Sequence, residues 1–190
     1  MTKSTLKYEY EFKIKKDGKT PPLKDVFISD NAKEMMGKVE QGVKEDITLQ
    51  VFRADTLGVD GWTETDFFGE KGFKHLQSLG LAKCSPDDAF YLRESYKDQP
   101  IYEWIRVAHD PISADGYSRV FHVGHHSDCG RCLNGFNLNS YYELYADSLL
   151  AGRVASPLDS DTKTLPSDTL NLELAIEMVK EAGYQVSKIL

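Results

Sequence analysis

Ser118-Arg-Val-Phe-His122-Val-Gly-His125-His126-Ser-Asp128-Cys129-Gly-Arg-Cys132 begins as a strand and ends as a cluster of ligand-type side chains. Ser118 to Val123, with Val120, Phe121 and Val123, reads as a strand. Ser127-Asp128 can then turn the chain, and Cys129-Gly130-Arg131-Cys132 can close as a knuckle in which Gly130 lets backbone N–H groups face two sulfurs. A sheet strand that carries chemistry at its end therefore organises the reading.

Working outward, Ile101 to Ala108 reads as a preceding strand, joined through a loop from Asp110-Pro111 to Asp115-Gly116. At the amino-terminal end, Tyr8, Tyr10, Phe12 and Ile14 alternate with Lys7, Glu9, Glu11 and Lys13 as another strand. Its basic run, Lys13 to Lys16, reads as a solvated edge. Asp17-Gly18 and Pro21-Pro22 mark a turn, and Val26-Phe27-Ile28 a short returning strand. Asn31 with Glu34 fits a capping box, opening a helix whose stripe is Ala32, Met35, Met36, Val39 and Val43. Ile47 to Phe52 is the next strand.

Residues 55–64 form a loop, and a helix is expected from Phe67 through Leu79, stopped by Gly80. Ser85-Pro86-Asp87-Asp88 starts a further helix with Ala89, Leu92 and Tyr96 inside. Asn139 or Ser140 caps a helix bearing Tyr141, Leu144, Tyr145, Leu149 and Leu150. Residues 156–169 are rich in Ser, Asp, Thr and Pro and read as a mobile loop, before a helix over 170–182 and a final strand over 184–190. The fold class is α+β: one mixed-sheet domain over 1–190, three to five helices, and a zinc-knuckle-like loop after a strand, with 118–138 as the metal-binding segment.

Composition agrees with a folded soluble chain, being 41% hydrophobic, 11% aromatic and 28% charged. The net charge of −7 disfavours broad contact with a phosphate backbone, so another protein is the expected partner rather than nucleic acid. No apolar run approaches a membrane span, and no signal-peptide pattern precedes the first strand. A reducing cytoplasm is the expected compartment, where Cys-x-x-Cys means metal or catalysis.

The chain has five histidines and three cysteines, and His122, His125, His126, Cys129 and Cys132 fall within eleven residues. Thiolate and imidazole are the usual zinc ligands. Both cysteines with two of the three histidines would give a closed tetrahedral Cys₂His₂ site, hence a structural zinc presenting 124–138 as a recognition surface. The expected function is then a zinc-stabilised binding or regulatory protein.

Two resemblances imply enzymes instead. Strand, short loop, Cys-Gly-Arg-Cys and following helix resemble the local order of thioredoxin-like proteins over about a dozen residues. That implies a thiol-disulfide oxidoreductase with Cys129 as nucleophile. Asn134-Gly135 departs from the continuous helix of that family. The order His125 or His126, Asn139, Asp147 is loosely similar to ββα-metal (HNH-like) nucleases, implying a metal-dependent hydrolase, although no histidine lies on the following helix. Asp110, Asp128 and Glu143 are the carboxylates an open zinc site would use. Cys84 reads as a partly buried, inert thiol.

Overall fold

A computed structural model describes residues 6–40 and 42–155. The chain divides into two units, Met1–Val154 and Ala155–Leu190. The expected loop 156–169, helix 170–182 and strand 184–190 lie outside the described residues.

The first unit is built on nine strands: β1 (Tyr10–Asp17), β2 (Phe27–Ile28), β3 (Lys44–Arg53), β4 (Leu81–Ala82), β5 (Trp104–Val107), β6 (Ile112–Ala114), β7 (Tyr117–His126), β8 (Gly130–Asn137) and β9 (Leu149–Val154). Five short helices accompany them: α1 (Asp30–Met36), α2 (Ala54–Leu57), α3 (Glu64–Phe67), α4 (Glu70–Ser78) and α5 (Asp88–Ser95). The sheet order is β1-β3-β9-β5-β7-β8-β2, with β4 on β9 and β6 on β7. The pairs β5·β9 and β2·β8 are parallel and the rest antiparallel. A single mixed sheet is what the sequence predicts. Helices of four to nine residues, however, make this a mostly-sheet domain rather than a clear α+β fold.

Apolar residues cover both faces. Val51, Ile105, Phe121, Val123 and Leu133 join α1 and α5 in one cluster. Phe52, Val120 and Leu150 join α2, α3 and α4 in the other. Neighbours such as Val120 and Phe121 part company because successive strand side chains point to opposite faces. Among the described residues no helix is long and apolar enough to cross a membrane.

Four local expectations are overturned. The helix placed at 139–150 is a loop followed by β9, which lies in the middle of the sheet between β3 and β5. Leu150, Ala151 and Gly152 are buried one after another, so this strand lacks the alternation that would distinguish it from helix. The returning strand at 27–28 does not pair with β1; it crosses to β8 and runs parallel to it. Ser29, not Asn31, caps α1 by accepting from the Ala32 N–H. Asn31 instead donates from Nδ2 to the Gly135 carbonyl and accepts from the Gly135 N–H, both at 3.1 Å, completing the edge of β8 where β2 ends. Finally, Lys16 is no solvated edge residue. It is buried among Glu45, Asp87 and Asp88, with Nζ–O distances of 3.1, 2.8 and 2.9 Å.

Candidate functional site: a dithiol at a hairpin tip

β7 and β8 form an antiparallel hairpin with His126 opposite Gly130 and Gly124 opposite Cys132. The segment expected to be a zinc knuckle is its turn. Ser127, Asp128 and Cys129 make a three-residue loop, and Gly130 follows at φ +70°, the left-handed residue such a loop requires before the strand resumes. This places Cys129 on the turn, half-buried, and Cys132 two residues into β8, buried. Their sulfurs lie 2.8 Å apart.

The histidines do not join them. His122 is half-buried, with its ring against Trp104 (centroids 4.6 Å apart) and Phe136 (5.2 Å). Burial and the neighbouring Arg106 guanidinium hold its pKa at about 3, so it is neutral. His125 points its Nδ1 at the Gln99 carbonyl, 2.6 Å away. His126 accepts from the Asp128 N–H at Nδ1 (3.2 Å), and its ring meets Tyr102 edge-on. Among the described residues no group of three or more His, Cys, Asp or Glu side chains is arranged to hold a metal ion. Two thiolates on one tetrahedral zinc, with Zn–S near 2.3 Å, stand roughly 3.7 Å apart. The cysteine pair is closer than that and lacks a converging imidazole.

A buried cation lies near Cys132. Arg93, on α5, is fully buried. It donates to the Gly124 carbonyl at 2.8 Å, to Gln99 Oε1 and to the Tyr96 carbonyl, and among the described residues its Nε–H has no partner. All its acceptors are neutral, and Gly124 is the ladder partner of Cys132. Desolvation, with repulsion from Arg131, pulls the Arg93 pKa down to about 10, and a Cys132 thiolate would stabilise its charge. Arg131 donates to the Lys24 carbonyl at 3.1 Å, and its Nη1 is also buried without a partner. Burial, together with the hydrogen bond and charge of Cys129, pushes the Cys132 thiol up to about 12, while a bond from the His126 N–H and the Arg93 charge work the other way. Negative charge on Cys132 is thus favoured by the Arg93 guanidinium.

Cys84 is a separate, buried thiol directed at the Ala151 carbonyl, and burial raises its pKa well above the usual range. The Cys-x-x-Cys spacing marks both sulfurs in the sequence but not Arg93, which lies more than thirty residues away on an apolar helix face and carries no motif. No family model, curated protein or solved structure matches this chain.

Proposed function

We propose that the chain is a thiol-based redox protein whose Cys129–Cys132 pair cycles between dithiol and disulfide at the hairpin tip. The observation that carries this reading is the sulfur pair itself: adjacent, one member reachable and one buried, beside a buried guanidinium that lacks a carboxylate partner. The oxidant is another disulfide, R–S–S–R. Cys129 thiolate attacks one of its sulfurs, forming a mixed disulfide and releasing R–S⁻. Cys132, deprotonated in turn, attacks the Cys129 sulfur, closes the internal disulfide and releases the second R–S⁻, so that two protein S–H bonds become one S–S bond and two R–SH form. Arg93 favours the Cys132 thiolate as it appears. A three-residue turn can respond to ring closure, making the tip a surface whose shape depends on redox state.

Incubating the full chain in glutathione buffers of graded potential, with intact mass read after acid quench, tests the proposal. Loss of two hydrogens in one cooperative step is expected. Cys132→Ser should accumulate the glutathione adduct on Cys129, and Cys129→Ser should not react. No oxidation across the range overturns it. So does one zinc per chain that shields both thiols from alkylation until a chelator is added, an outcome that would support the zinc-stabilised binding reading instead.

A further inference from the structure

Arg106, on β5, is a third cation without a full set of partners among the described residues. Among the described residues its guanidinium makes no hydrogen bond. Nη2 lies 3.6 Å from Glu64 Oε1, beyond bonding distance, and the buried Nε–H is unpaired. The face of the group rests on Phe136, 4.3 Å from the ring centroid, so its plane is fixed and its N–H edges are free. Those edges border two open cavities of about 380 and 410 Å³, and Arg106 lines both.

The walls are aromatic. Tyr102 and Trp104 flank one cavity, and Tyr142 and Tyr145 the other. Tyr145 is 75% exposed and Tyr142 64%, so neither is spent on the core. Their loop is nonetheless tied down: the Glu64 N–H donates to the Tyr142 carbonyl (3.0 Å), and Leu144 exchanges backbone bonds with Trp62 and Gly61 (2.8 and 2.9 Å). Ordered, solvent-facing rings beside a fixed, under-used guanidinium form a stacking platform with a charge anchor.

We propose that the cavity under the tyrosine loop binds a small molecule consisting of a planar ring that carries one anionic oxygen acid, with Arg106 gripping the anion and Tyr145 stacking on the ring. Glu103 and Asp147 line one cavity, and Glu64 and Glu143 balance Arg106 and Arg119 in the other, so a polyanion is disfavoured and the ligand is confined to low charge. Carboxylate and phosphate monoesters share the required chemistry. The inference does not depend on the dithiol, and Cys129→Ser should bind as the wild type does.

Calorimetric titration of the full chain with benzoate and with adenosine 5′-monophosphate tests it, using benzamide and adenosine as uncharged counterparts. Saturable binding of at least one anion with Kd of about 1 mM or tighter is expected, and the uncharged counterpart should be weaker by at least about tenfold. Benzoate alone identifies a carboxylate ligand, and the nucleotide alone a phosphate. Arg106→Gln should abolish binding, and the exposed Tyr145→Ala, which leaves the core intact, should weaken it by about threefold or more. Absence of saturable binding by both anions, equal binding of the uncharged molecules, or wild-type affinity in Tyr145→Ala overturns the proposal.

Discussion

Arg93 illustrates how one buried side chain can connect stability with chemistry. Its removal leaves the Gly124 and Tyr96 carbonyls short of a donor, and Arg93→Met should destabilise the fold by about 2–4 kcal/mol in urea melts. The same variant should slow, several-fold at neutral pH, the step in which Cys132 displaces glutathione from Cys129. Arg93→Lys, which keeps the charge, should recover most of the rate, whereas a purely structural arginine would give no such recovery. Two histidines provide a separate readout. His109 accepts the Phe121 N–H at Nε2 (2.8 Å), so its proton sits on Nδ1, bonded to the Asp110 carbonyl (2.7 Å). Burial lowers its pKa to about 4, and that of His122 to about 3. Both imidazoles therefore bind protons more weakly folded than unfolded. Their contribution is fully present above pH 6.5 and is lost as pH falls from there toward 4 and 3. Each should tilt stability by about 1.4 kcal/mol per pH unit in that window. Urea midpoints measured from pH 7 to 4.5 should fall accordingly, with a shallower slope in His109→Gln.

At the scale of elements, the β7–β8 hairpin is held in place by close approaches that few residues permit. A Cβ on Gly124 would lie 2.1 Å from a Trp104 ring carbon, and one on Gly135 would lie 2.6 Å from Met35 Sδ. Gly124→Ala should lower stability by about 1–3 kcal/mol through overpacking, read as a lower midpoint with intact cooperativity. Asn31→Ala removes two bonds from the β8 edge and should cost about 1–2 kcal/mol, with increased light scattering as the uncovered edge finds partners. β1, β3 and β5 were legible because alternation marks strands with one clearly inward face, and β7 because of its β-branched and aromatic residues. The tyrosine loop and β9 were not. Tyr141, Leu144, Tyr145 and Leu149 fall at helical spacing by coincidence, yet the tyrosines face solvent while Leu149 begins a strand covered on both sides. The expected long helix from Phe67 breaks into α3 and α4 at Gly69 for a reason periodicity does not encode: a Cβ on Gly72 would meet the Phe67 carbonyl at 1.8 Å.

Across the whole first unit, the apolar clusters on the two sheet faces are joined at one end by ions. Lys16 and Arg153 meet Glu45, Asp87 and Asp88, linking β1, β3, β9 and α5 through contacts of 2.6 to 3.1 Å. Breaking such a network leaves an uncompensated buried charge, so Asp88→Ala should cost about 3–5 kcal/mol in thermal or urea unfolding. Loss of only a few tenths would mean that water replaces the carboxylate. From the sequence alone came the strand periods, the stop at Gly80, the turn before Cys129 and the pairing of Cys129 with Cys132, because each depends on residues within a few positions of one another. The central place of β9, the parallel crossing of β2, the buried ions, and the separation of three histidines from two sulfurs were decided in three dimensions. Which face a strand turns inward, and which distant helix brings a guanidinium to it, are set by packing among segments far apart in the chain, and local spacing carries no record of that.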